Sequence, residues 1–286
     1  MKKLVINVCI LLSLTSMTIA QDSNSFDKKF RFGIRITPQP TWIKSSDKNA
    51  SNGGLGFGFG FGLITEFKLS DIIHFSTGIG GDFENGTINF RNDLPNNYSV
   101  GYVTDKDGYL VEAANGVKTT DYLGNANVQY SSVTSRKIKT TYVSIPFTLK
   151  MLTQEYSGFR YFAQFGGELG IRTKIKATDT YQMLTKNGIS TTGTGTNSDI
   201  DISKDASLIP LRLGLNVGAG TEYRIAGSTS IVFSVNYFTS FINLMKSESK
   251  YLSTSSSVDS NSQMTFTYLK QSVFQNAIRI NIGFLF

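Results

Sequence analysis

The sequence predicts an all-β fold: an eight-stranded antiparallel up-and-down transmembrane β-barrel. Three observations carry this. Apolar residues alternate at period two with polar or small ones, and helical periodicity is scarce. The alternating segments number eight, and the links between them are by turns short and long. After the N-terminal leader no run of 18 apolar residues occurs, so a membrane crossing has to be made by strands.

The leader reads as an address. Lys2 and Lys3 precede an apolar stretch from Leu4 to Leu14, and Thr18 and Ala20 stand at the −3 and −1 positions before Gln21. That is the layout of a cleaved secretory signal peptide, 1–20. Cys9 lies well ahead of the cleavage site and is no lipoprotein acceptor. A short segment, 21–28, leads into a barrel domain at 29–286.

The eight segments follow in order. Phe30, Phe32, Ile34 and Ile36 oppose Arg31, Gly33 and Arg35. Leu55, Phe57, Phe59, Phe61 and Leu63 oppose Gly56, Gly58, Gly60, Gly62 and Glu66. In the third, Ile73, Phe75, Ile79 and Phe83 face away from His74, Ser76, Gly80 and Asp82. The fourth sets Val143, Ile145, Phe147, Leu149 and Met151 against Ser144, Pro146, Thr148 and Lys150. The fifth sets Tyr161, Ala163, Phe165, Leu169 and Ile171 against Arg160, Gln164, Glu168 and Arg172. The sixth sets Leu211, Leu213, Leu215, Val217 and Tyr223 against Arg212, Asn216, Glu222 and Arg224. Ile231, Phe233, Val235 and Tyr237 oppose Ser234 and Asn236. Last, Ile278, Ile280, Ile282, Phe284 and Phe286 oppose Arg279 and Asn281.

Links after the second, fourth and sixth segments are short, at 69–72, 153–158 and 226–229. Those after the first, third, fifth and seventh are long, at about 39–53, 85–135, 177–206 and 244–262. Short turns at one end and long loops at the other characterise outer-membrane barrels, with the turns periplasmic. A soluble barrel would turn the apolar face inward. Two features reverse that choice: glycines crowd the polar face, where a small barrel has little room, and the apolar face is nearly unbroken and rich in Phe and Ile. The expected location is the outer membrane.

The inward face then holds Arg31, Arg35, Lys68, Lys150, Arg160, Arg172, Lys174, Arg212, Arg224 and Arg279 against Glu66, Asp82, Glu84, Glu168 and Glu222. Charges away from water must pair, so these predict a network of Arg–carboxylate contacts across the lumen. Glu66, Glu168 and Glu222, near the periplasmic ends, are the expected core. The alternative is a narrow channel with excess positive charge, but eight strands enclose a space that side chains about fill.

Composition excludes several chemistries. The only cysteine, Cys9, leaves with the signal peptide, which removes disulfides, Cys-ligated metals and a thiol nucleophile; a single histidine removes a His-rich metal site. Lys and Arg number 28 against 21 acidic residues but are dispersed, against a nucleic-acid partner. His74 invites comparison with lipid A-modifying barrels, yet it is predicted inward beside a periplasmic turn, with no acidic residue placed to orient it. Asp105 to Gly108 breaks the calcium-loop pattern and reads as a hairpin turn between Tyr102-Val103 and Tyr109-Leu110-Val111. The Ser/Thr/Gly-rich stretch 187–205 reads as a mobile external loop, and Trp42 as an interface anchor in the first long loop. No catalytic, cofactor-binding or metal-ligating residue is predicted, no cofactor, and no enzymatic activity.

Three segments resemble a known family. Tyr142-Val143-Ser144-Ile145-Pro146-Phe147-Thr148-Leu149-Lys150 resembles the Tyr-Leu-Glu-Ile-Pro-Leu-Leu-Leu-Lys strand of PorT-like outer-membrane β-barrel proteins of Bacteroidota. Gly214 to Tyr223 is similar to that family's Gly-x-Gly-Ala-Gly-x-Glu-Tyr strand, and Tyr237 to Asn243 to its tyrosine strand. Ser144 departs from the pattern, where the family often has Glu. The resemblance implies an outer-membrane barrel with a link to type IX protein secretion. Terminal Phe286 is similar to the signal read by the barrel-assembly machinery. Expected partners are therefore outer-membrane lipid, that machinery during biogenesis, and secretion or other envelope proteins.

Overall fold

The computed structural model describes residues 28–91, 99–105, 110–111, 128–184, 191–203, 209–244, 252–258, 264–269 and 272–286. The expected signal peptide lies outside the described residues.

Each of the eight segments forms one strand of a closed ring: β1 (Phe30–Ser45), β2 (Gly56–Lys68), β3 (Ile73–Phe90), β4 (Val128–Leu152), β5 (Phe159–Leu184), β6 (Leu211–Ala226), β7 (Thr229–Ser240) and β8 (Val273–Leu285). Each pairs antiparallel with its neighbours in sequence, and β8 returns to β1, with Ile36 opposite Ile282. The topology is up-and-down, as predicted. Arg31, Thr37, Gln39 and Thr41 of β1 are buried inside, while Phe30, Phe32, Ile34 and Ile36 are exposed outside. The same holds around the ring, giving the apolar girdle that lipid requires.

Short turns close one end. Between β4 and β5, Tyr156 and Phe159 exchange backbone hydrogen bonds around Ser157 (φ 51°) and Gly158 (φ 82°). Two positive-φ residues in a two-residue loop match the twist of the flanking strands. Pro146 of β4 points inward. Its ladder with β3 skips from Thr77↔Phe147 to Gly80↔Ser144, the gap a residue without N–H leaves.

Two strands overrun the membrane. A tilted spanning strand needs about 9–11 residues, whereas β4 has 25 and β5 has 26. Beyond Val143 and Ile171 the polarity inverts. Lys137, Lys139 and Lys174 are exposed outside, while Ile138, Ile175 and Ala177 are buried inside. Water replaces lipid on the outer face, so apolar residues move to the inner one.

This inversion corrects several sequence readings. The segment 85–135 begins and ends in strand, since β3 runs to Phe90 and β4 starts at Val128. The stretch 187–205 is not all loop: Thr191–Asp201 pairs antiparallel with β5, Leu184 opposite Thr191 and Lys176 opposite Asp201. On the other side, Ser99–Asp105 pairs with β4, Ser253–Val258 with Ser99–Asp105, and Met264–Tyr268 with Ser253–Val258. Val103 and Val111 oppose each other, as the predicted hairpin requires, while its turn lies outside the described residues. Trp42 belongs to β1, outward, its ring 6.2 Å from that of Tyr237.

Lys174 is corrected too. It was expected inside with Arg172, but the β4–β5 register passes from Tyr142↔Arg172 to Thr141↔Lys174, leaving Thr173 as a bulge. One extra residue flips the phase, so Lys174 faces out and Ile175 faces in.

Candidate functional site

The lumen is built in layers. At the periplasmic end, Arg31 donates from both terminal nitrogens to Glu222 (3.0 and 3.1 Å) and also to Glu66. Lys150 donates to Glu66 at 3.2 Å and to Glu222. The imidazole Nδ1 of His74 meets Glu66 Oε1, the oxygen that accepts from Arg31. These five side chains come from β1, β2, β3, β4 and β6, all pointing inward by strand alternation. Beside them Leu152, Phe162, Val232 and Leu285 form a small apolar cluster, with Lys150 Nζ 4.1 Å from the Phe162 ring centre.

Further out lies a small cavity of about 60 Å³, with Arg35, Gln164, Asn216 and Asn281 on its polar side and Ile64, Phe162, Val232 and Leu285 on its apolar side. Above it sits a second ion cluster. Arg212 donates to Glu84 at 2.5 Å, Glu168 at 2.7 Å and Asp82 at 3.4 Å. Arg279 donates to Glu168, to Glu84 at 3.1 Å and to Gln39 at 2.9 Å, and Ser144 donates to Asp82 at 2.6 Å. The two guanidiniums lie 4.8 and 4.0 Å from the Phe238 ring centre, where a cation is favoured by the ring face. Gly60 makes room for this layer: a Cβ there would come 2.5 Å from an Asp82 carboxylate oxygen.

An apolar core closes the outer end. Ile43, Ile88, Ile138, Tyr142, Ile175 and Val273 pack with Ile202, Leu244, Leu252 and Leu269 from the segments between strands. Each fully buried aliphatic chain contributes about 1.5–3 kcal/mol. Within the outer sheet Arg136 and Asp179 form a buried bidentate pair at 2.7 and 2.6 Å. Beside it, burial and the nearby Asp179 charge push the Tyr102 phenol up to about 12.

The expected lumenal network is therefore present, as two clusters instead of one. Glu66 and Glu222 anchor the periplasmic cluster, but Glu168 belongs to the outer one, a correction to its expected place. Arg224 and Lys68 pair at the turns, with Glu155 and Asp71. The expectation that no acidic residue orients His74 is also corrected, since Glu66 holds it. Ser76 lines the cavity, and His74 is 1% exposed. Its Nε2 meets no partner among the described residues. Sequence reading missed the Arg136–Asp179 pair. Arg136 continues the inward phase of β4, but Asp179 comes into phase only after the Thr173 bulge.

Solved structures of outer-membrane proteins are similar to the chain at low identity. The chain is similar to Neisserial surface protein A (8% identity, TM-score 0.34, 90% of this chain and 96% of that one). It is similar to the outer membrane protease OmpT from Escherichia coli (9% identity, TM-score 0.35, 92% and 99%). It is also similar to Ail, the attachment invasion locus protein of Yersinia pestis (10% identity, TM-score 0.27, 91% and 100%). No curated protein matches. A family model described as the outer membrane protein beta-barrel domain matches residues 19–246. The protein is an outer-membrane protein, and the chain belongs to the outer membrane protein beta-barrel domain family.

Proposed function

We propose that this barrel is a non-enzymatic, non-conducting interaction component of the cell envelope, with the sheet beyond the membrane as its working surface. The observation that carries the reading is the contrast between the two halves of the molecule. The lumen is filled by paired charges and apolar side chains, while β4 and β5 continue outward and further strands pair on both sides of them. A pore needs a continuous polar path, and the apolar outer core interrupts one. A lipid-modifying enzyme needs its histidine at the lipid-facing rim; His74 is buried inside, its carboxylate shared with Arg31 and Lys150.

The resemblance of the fourth, sixth and seventh segments to PorT-like proteins supports a partner in type IX secretion. A deletion strain compared with its parent for proteins in the medium and on the cell surface tests this. Loss of a whole class of secreted proteins, with precursors held in the periplasm, is the expected result. An unchanged profile removes the secretion link and leaves the outer sheet to bind some other envelope protein.

A further inference from the structure

The outer wall of the barrel carries a feature that the lumen and the secretion reading leave unused. Two adjacent rows of outward-facing residues cross the strands where the membrane ends. In the first, Phe59, Phe83, Thr141 and Lys174 are successive cross-strand partners. In the second, Asn85, Lys139 and Lys176 are partners, and the Asn85 amide donates to the Phe57 carbonyl. Together they wall a groove of about 400 Å³, a volume in the range of ligand pockets. Phe57, Phe59 and Phe83 are exposed on its membrane side, and Lys139, Lys174 and Lys176 stand on its water side.

The charge there is one-sided. Glu84 also borders the groove, but Arg212 and Arg279 hold its carboxylate inside the barrel. Asp199 and Asp201 stand on the neighbouring edge strand, outside the groove lining. Asp199 pairs with Lys139 at 3.1 Å, and the hydrogen bond and charge of Lys139, with Lys176 and Lys174 adding theirs, hold its carboxyl below the usual carboxylate range. An exposed carboxylate drawn to Lys139, with Lys176 and Lys174 adding their charge, marks where an external anion would sit. Long lysine stems can lie along an apolar wall while their heads reach the head-group level.

We infer that this groove binds a phosphorylated lipid of the outer leaflet, its phosphate on Lys139, Lys174 and Lys176 and its acyl chains along Phe57, Phe59 and Phe83. The aromatic wall distinguishes a lipid from a free anion, because inorganic phosphate would use the lysines alone. The Thr173 bulge is what makes the site, since without it Lys174 and Lys176 would point into the lumen.

The test uses the full chain refolded in a neutral maltoside detergent. It is titrated with bis-phosphorylated lipid A, with the dephosphorylated lipid and with inorganic phosphate, and native mass spectrometry counts bound lipid. The phosphorylated lipid should be retained, and the Lys139→Gln/Lys174→Gln/Lys176→Gln variant should hold it on the order of 100-fold more weakly. Asp199→Asn should tighten retention by removing the internal competitor. Equal retention by the triple variant, or of the dephosphorylated lipid, would overturn the inference. Displacement by inorganic phosphate at the lipid's own affinity would replace it with a plain anion site. None of the three lysines is buried, and heat-modifiable gel mobility checks folding. The single Lys174→Glu variant repeats the test with one outward side chain.

Discussion

Among the lumenal side chains, Glu222 and Arg224 sit two residues apart on β6 and face the same way, yet they do different work. Glu222 is fully buried and takes hydrogen bonds from Arg31 and Lys150. Arg224 is about a third exposed and pairs with Glu155 of the neighbouring turn. Removing one carboxylate from a buried ion cluster leaves surplus positive charge away from solvent, at about 3–5 kcal/mol, whereas an exposed pair is worth about 0–1 kcal/mol. Glu222→Gln should therefore lower the urea midpoint of the detergent-refolded barrel by far more than Arg224→Gln. Equal midpoints would show that the periplasmic cluster is solvated. These pairings could not be read from the chain: Arg31 and Glu222 are 191 residues apart, and alternation says which way a side chain points but not whom it meets.

At the scale of the strand, legibility follows the solvent. Between Phe30 and Ile36, or Val143 and Met151, lipid outside and charge inside make opposite demands, and period two stands out. Past Val143 and Ile171 the outer face turns polar and the inner face apolar, so the same strands read as loop. The register slip at Thr173 is silent in sequence, because Thr173 is as good a strand residue as its neighbours. Its effect is testable. Deleting Thr173 should flip the outer half of β5, forcing Lys174 and Lys176 inward and Ile175 and Ala177 into water. The outer sheet should then become sensitive to added protease while the membrane-embedded ring keeps its heat-modifiable mobility. A protease-resistant outer sheet in the deletion variant would mean that the bulge does not set the phase.

For the whole molecule, the layers along the lumen explain why a chain with ten inward-predicted cations need not conduct. Two clusters pair four of them with five carboxylates, Lys68 and Arg224 pair at the turns, Lys174 faces outward, and an apolar core follows on the outer side. Refolded protein in planar bilayers should give no reproducible conductance steps; steady openings would contradict the closed lumen. Fold class and strand order were legible because they depend on alternation and link length alone. The height of the molecule beyond the membrane was not, because it depends on where the alternation changes sign.

Single cysteines test that change of sign directly, since Cys9 falls within the expected signal peptide and the rest of the chain has no thiol. Lys137→Cys, Val143→Cys and Ser157→Cys would be treated with a membrane-impermeant maleimide on intact cells. Labelling should be rapid at 137, absent at the lipid-facing 143, and present at the turn residue 157 only after the outer membrane is permeabilised. Labelling at 143 as fast as at 137, or at 157 on intact cells, would contradict the boundary and the orientation of the barrel.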